Sequence, residues 1–201
     1  MKLTAREFFS VPNILSYVRL LLIPIFTYLF IHAEDTKDYY LIGFIIFLSA
    51  VTDLLDGWFA RKFNQITELG KVIDPIADKL TQAAIVVCLL FRYPYMWILF
   101  ILLVVKELFM GIIGLVLLKR GKKLDGAKWF GKLSTAVFYV AMGILITFPN
   151  LPTEFVVFLM VITGIFLTIS FILYIPEYIK LYKKSSRRRR LTSVLSHHRT
   201  Y

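Results

Sequence analysis

Apolar residues in this chain gather into long blocks, each close to the roughly 20 residues that a helix needs to span a bilayer. That arrangement constrains the fold more than any other feature. The chain has 201 residues, of which 58% are apolar and 18% charged. A soluble domain carries about 45–50% apolar and about 25% charged residues. The surplus excludes disorder and exceeds what an ordinary soluble core uses. A disulfide framework is excluded too, because the single cysteine, Cys88, sits inside an apolar run.

The blocks predict an all-α, polytopic membrane protein with six transmembrane helices. The spans run from Asn13 to His32, Tyr39 to Phe59, Val72 to Phe91, Tyr95 to Leu118, Gly131 to Phe148 and Phe155 to Lys180. Charge orients them. The connections at Glu34–Asp38, at Arg92–Tyr95 and at Phe148–Pro152 carry only Lys37 and Arg92 as basic residues. The opposite connections hold Arg61, Lys62 and Lys71, then the cluster from Lys119 to Lys132. Retention of Lys and Arg in the cytoplasm therefore places both termini there. The net charge of +11 flanks apolar runs, so it points to lipid headgroups and not to nucleic acid. Residues 1–182 read as the membrane domain and 183–201 as a basic, disordered cytoplasmic tail. No cleavable signal is expected, and Phe8 and Phe9 beside Lys2 and Arg6 suit an interfacial segment. His197 and His198, adjacent in the tail, lack further metal ligands nearby in sequence.

Four acids stand out against this apolar background. Asp53 and Asp56 close the second span, and Asp74 and Asp78 open the third. Each intramembrane charge costs about 2.5–3.5 kcal/mol at mid-bilayer. Spacings of three and four put each pair on one helical face. The short connection between the spans predicts that the two faces meet just inside the cytoplasmic boundary. Clustered anions need a shared cation, and Lys79 and Arg61 are too few to neutralise four. Carboxylate oxygens suit hard divalent cations, and the absence of nearby His or Cys disfavours zinc. The plainer alternative is that the acids mark helix ends. Gly57 and Gly70 allow close approach of a ligand or backbone, Ala60 leaves room, and Arg61 can grip phosphate oxygens.

The segment reads D-x-x-D-G-x-x-A-R-x8-G-x-x-x-D-x-x-x-D from Asp53 to Asp78. It resembles, with every fixed position filled, the signature of the CDP-alcohol phosphatidyltransferases. The resemblance implies transfer of a phosphatidyl group from CDP-diacylglycerol to an alcohol with release of CMP. It implies two divalent ions, Mg²⁺ or Mn²⁺, held by Asp53, Asp56 and Asp74, with Asp78 beside them and acting as general base. Gly57, Ala60, Arg61 and Gly70 would shape the CDP-lipid pocket. The upstream "PNILSYVR" resembles the family's first helix, so Asn13, Ser16 and Arg19 would help hold the nucleotide. The expected place is a bacterial cytoplasmic membrane, with the site facing the cytoplasm and membrane lipids around it. Many family members are homodimers, which carries over as an expectation.

The acceptor is read from later residues. Lys106 and Glu107 lie inside the fourth span, where a charged pair usually faces a polar cavity. Adjacent helix residues face each other poorly, which argues against mere mutual compensation. The stretch G-K-x-x-T, from Gly131 through Lys132 to Thr135, resembles that of family members forming phosphatidylglycerophosphate. Lys106, Lys132 and Thr135 are therefore the acceptor candidates, and glycerol 3-phosphate is the expected acceptor. Those members usually carry Arg where this chain has Lys106. A cardiolipin synthase using phosphatidylglycerol is the alternative within the family. A divalent-cation transporter is the alternative outside it, but transport predicts acids spread over several spans near mid-membrane.

Overall fold

The computed structural model describes residues 9–63, 67, 69–119 and 128–197, with the side chains of Gly57, Ala60, Arg61, Lys71 and everything from Lys184 onward outside that description. The described residues form six helices: α1 (Val11–Ile31), α2 (Thr36–Lys62), α3 (Gly70–Leu90), α4 (Met96–Lys119), α5 (Trp129–Thr147) and α6 (Thr153–His197). The fold is all-helical, as expected. Five helices, all but α3, are long and apolar enough to cross a membrane. In α3, Asp74, Asp78 and Lys79 interrupt the apolar run.

Local chemistry sets several of the helix starts. Pro12 stands in the first turn of α1, where its missing N–H leaves no intrahelical bond unmade. At the start of α2, the Asp38 carboxylate accepts 3.0 Å hydrogen bonds from the backbone N–H groups of Glu34 and Asp35. Thr67 accepts the Gly70 N–H through its hydroxyl at 2.9 Å and satisfies one of the orphan donors of α3. The basic segment expected to be unstructured is helical from Lys183 to His197, as the end of α6. Lys, Arg and Leu are good helix formers, and neither Gly nor Pro follows Pro176 in that helix. His198 to Tyr201 lie outside the described residues.

The chain divides into two compact units. The first comprises Met1–Phe100 and Phe138–Met160. In it α1 packs against both α2 and α3. Phe26, Ile42, Ile85, Leu89, Met142 and Ile146 are buried in its core. Large apolar side chains such as Leu21, Tyr28, Phe44, Phe47 and Leu54 point outward. A bilayer removes such surface from water, so this outward face suits lipid. At one end, Arg92 donates to the Pro149 carbonyl at 2.8 Å and lies 4.6 Å from the Tyr39 ring centre. One guanidinium thus clips two turns and a helix together.

The second unit comprises Ile101–Val137 and Val161–Tyr201. Leu117, Tyr174 and Tyr178 are its buried centre, with Phe109, Met110 and Phe130 packed around them. Lys128 pairs with Glu177 at 3.4 Å, and its backbone N–H donates to the Tyr174 hydroxyl at 3.3 Å.

Candidate active site

Helix α1 brings one polar face to the aspartates. Asn13, Ser16 and Arg19 recur every three residues, so they share a side of the helix. All three are fully buried. A buried guanidinium is tolerable only with anionic partners, and two are present. Arg19 Nη1 stands 2.6 Å from Asp53 Oδ1, an ionic contact without hydrogen-bond geometry. Arg19 Nη2 donates to Asp56 Oδ2. Its Nε has no hydrogen-bond partner among the described residues.

The other two α1 residues serve α3 and the connection before it. The Ser16 hydroxyl lies 2.5 Å from Asp74 Oδ1 and 3.2 Å from the Pro12 carbonyl. Thr67 donates to Asn13 Oδ1 at 3.0 Å. Gly70 sits against that contact, and a Cβ built there would lie 2.6 Å from Asn13 Oδ1 and 2.9 Å from Thr67 Oγ1. A Cβ there would press on two side chains already hydrogen-bonded to each other, of which Thr67 also accepts the Gly70 N–H, so the position suits a residue without a side chain.

Asp78 is held differently. Its Oδ1 accepts from the Tyr139 hydroxyl at 3.0 Å and from Gln82 Nε2 at 3.1 Å. Its Oδ2 accepts from the same Gln82 nitrogen at 3.2 Å and lies 3.4 Å from Lys79 Nζ.

The structure thus brings Asn13, Ser16, Arg19, Asp53, Asp56, Gly70 and Asp74 into one neighbourhood of the first unit. Asp53 lies within electrostatic range of Asp74 and Asp78, and Asp56 within range of Asp53 and Asp74. Among the described residues, no three His, Cys, Asp or Glu side chains are drawn close enough to hold a metal ion. Each of the four carboxylates is engaged by neighbouring side chains, with Arg19 supplying a cation shared by Asp53 and Asp56. The donors are all hard oxygens, and two of them already bind one positive group, so their chemistry suits Mg²⁺ or Mn²⁺. The backbones of Gly57, Ala60 and Arg61 continue α2, while the surroundings of their side chains lie outside the described residues.

The acceptor candidates belong to the second unit. Lys106 is buried, and its Nζ bonds Glu107 Oε1 at 3.1 Å. The long lysine stem curls back to its neighbour, a pairing that helical geometry alone makes look poor. Lys132 is exposed and Thr135 half-buried.

Sequence reasoning missed Thr67, Gln82 and Tyr139. Gln82 stands one turn beyond Asp78, so spacing alone could have found it. Tyr139 carried a weaker signal, a phenol within an apolar helix whose hydroxyl needs a partner when buried.

Comparison with known proteins adds to this geometry. A protein of Shigella flexneri serotype 5b is 31% identical over 151 residues, covering 74% of this chain and 82% of its own length; it is named CDP-diacylglycerol–glycerol-3-phosphate 3-phosphatidyltransferase. The Escherichia coli K12 protein of the same name is 31% identical over 150 residues, covering 73% of this chain and 82% of itself. Residues 9–175 match the family described as CDP-alcohol phosphatidyltransferase, and the match spans the aspartate helices and the α1 face that bonds to them. The chain belongs to the CDP-alcohol phosphatidyltransferase family.

Proposed function

We propose that this protein transfers the phosphatidyl group of CDP-diacylglycerol to glycerol 3-phosphate, yielding phosphatidylglycerophosphate and CMP. The observation that carries the reading is the 31% identity, over 74% of the chain, to proteins named for that reaction. The aspartate geometry supports it, because a buried α1 face ties both aspartate helices into one site.

In this reading Asp53, Asp56, Asp74 and Asp78 are the residues that would hold two divalent ions. Those ions, when bound, offset the charge that repels a nucleophile from phosphorus and stabilise the leaving oxygen. Asn13, Ser16, Arg19, Gly57, Ala60, Arg61 and Gly70 form the CDP-lipid pocket. Arg61 supplies a guanidinium fork suited to phosphate, and Gly70 keeps the connection close to α1. Asp78 accepts the proton of the acceptor hydroxyl as that oxygen attacks phosphorus. Lys106, Lys132 and Thr135 hold the acceptor, with the ammonium groups directed to its phosphate. The attack is direct, so one P–O bond forms as the bond to CMP breaks.

The topology in this reading has six spans, α3 included, with both termini and the site on the cytoplasmic side. Its charged residues would then lie at the membrane boundary and in the site, where they meet partners other than lipid. Residues 1–182 are the transferase domain, and 183–201 a basic tail at the anionic leaflet. The protein works in a bacterial cytoplasmic membrane, as a homodimer.

Purified protein supplied with CDP-diacylglycerol and Mg²⁺ should release CMP when glycerol 3-phosphate is added. Chelation should stop the release. Release with phosphatidylglycerol but none with glycerol 3-phosphate would overturn the acceptor assignment. No release with any alcohol would overturn the reaction.

A further inference from the structure

Asp78 receives donors from two directions. Gln82 and Lys79 lie on α3 itself and move with the carboxylate. Tyr139 comes from α5, 61 residues away in sequence, and places its hydroxyl 3.0 Å from Asp78 Oδ1. Among the described residues it is the hydrogen bond that ties Asp78 to another helix. Asp53 and Arg19 lie within electrostatic range of the hydroxyl, but its hydrogen bond goes to Asp78. The neighbours of Tyr139 on α5 are Val137, Phe138, Val140 and Ala141, and the Phe138 ring is buried and packed edge-on against it at 5.7 Å. A phenol in such a setting seeks one polar partner, and here the partner is an aspartate of the signature.

A carboxylate turns readily about its terminal torsion, which is broad and roughly two-fold. Donors on one helix leave that rotation coupled to motions of the helix. A donor from a second helix removes the freedom and leaves a chosen oxygen for the incoming proton. We propose that Tyr139 is a positioning residue for phosphatidyl transfer, holding the Asp78 carboxylate in the orientation from which it accepts the proton of the alcohol. The inference rests on the reading of Asp78 as the general base. The phenol keeps its own proton throughout. The proton that moves goes from the acceptor oxygen to Asp78, while that oxygen's electron pair forms the new P–O bond and CMP leaves with the old one.

The test is a double-mutant cycle on the purified full-length enzyme, with kcat and both KM values measured. Tyr139→Phe keeps the ring and its packing and removes only the donor. It should lower kcat about 10- to 100-fold, the range for losing a hydrogen bond to a charged group. The KM for CDP-diacylglycerol and the melting temperature should stay near those of the wild type. In an Asp78→Asn background the same substitution should change the residual rate less than about twofold, because a group acting through Asp78 has nothing left to act on. If Asp78→Asn is impaired and Tyr139→Phe still lowers its rate by the full factor, Tyr139 acts elsewhere and this inference falls alone. If Tyr139→Phe turns over like the wild type, it falls as well. If Asp78→Asn retains wild-type turnover, the base assignment fails first and the inference falls with it.

Discussion

Replacing Arg19 by Met keeps most of the apolar stem of the side chain and removes the charge between Asp53 and Asp56. Removing one partner of a buried ion pair costs about 3–5 kcal/mol, because the remaining charge stays uncompensated. The two carboxylates do not share that cost equally. Only 6% of the Asp56 side chain is exposed, whereas 34% of Asp53 is, so water screens Asp53. The loss should then lie near the lower end, about 3 kcal/mol, most of it at Asp56. For a chain of this size that corresponds to a melting temperature lower by about 6–12 °C. The assay is thermal unfolding in detergent, followed by circular dichroism, first with chelator and then with Mg²⁺. In chelator the variant should melt well below the wild type. Mg²⁺ should raise the variant more than the wild type, since a divalent ion replaces the missing charge. Adding Asp53→Asn and Asp56→Asn to Arg19→Met should restore much of the loss, because no charge is then left stranded. If Arg19→Met melts with the wild type in chelator, the pairs contribute no net stability and the reasoning is wrong.

Asp53→Asn, Asp56→Asn and Asp74→Asn should each abolish most turnover, measured as CMP release, and raised Mg²⁺ should partly rescue a weakened ligand set; near-normal activity at ordinary Mg²⁺ would remove that residue from the site. Lys132→Ala should raise the KM for glycerol 3-phosphate about ten- to a hundredfold and leave that for CDP-diacylglycerol nearly unchanged. Equal effects on both would reduce Lys132 to a helix anchor. Gly70→Ala would place a methyl group against Asn13 and Thr67 and should destabilise the protein by about 1–3 kcal/mol, read as a lower melting temperature; a fully stable variant would mean that the Thr67 connection yields easily.

Local signals carried much of this architecture. Block length located every helix, whereas the Asp35 and Asp38 cap that starts α2 was read only as part of an acidic connection. Spacing put Asp53 with Asp56 and Asp74 with Asp78, and the α1 residues Asn13, Ser16 and Arg19 were visible through the family resemblance. Their partners were not legible. A search for cations among residues near the aspartates finds Arg61 and Lys79, whereas Asp56 pairs with Arg19, 37 residues upstream. Tyr139 is farther still from Asp78, and nothing in the apolar pattern of α5 says which carboxylate its hydroxyl meets. Hydrophobic periodicity reports which faces are apolar, and long-range polar pairings depend on how those faces dock. The Lys106–Glu107 contact failed to show for another reason: helical geometry describes where side chains start, and a lysine stem reaches well beyond that.

The burial of Arg19 has a consequence for biosynthesis. Residues leave the ribosome in order, at about 5–20 per second. The separation of 37 positions from Arg19 to Asp56 therefore divides the cation from its counter-ion by a few seconds. During that interval α1 would enter the membrane with a guanidinium that has neither Asp53 nor Asp56 to meet. Arg19 stands only eight residues from the helix start at Val11, so its side chain can reach back to the headgroups while it waits. The first helix would ride high in the bilayer until α2 arrives, then settle as Asp53 and Asp56 take the charge. Assembly of the site and insertion of the helix are in that sense one event, with the nascent chain's second hairpin arm drawing its first to full depth.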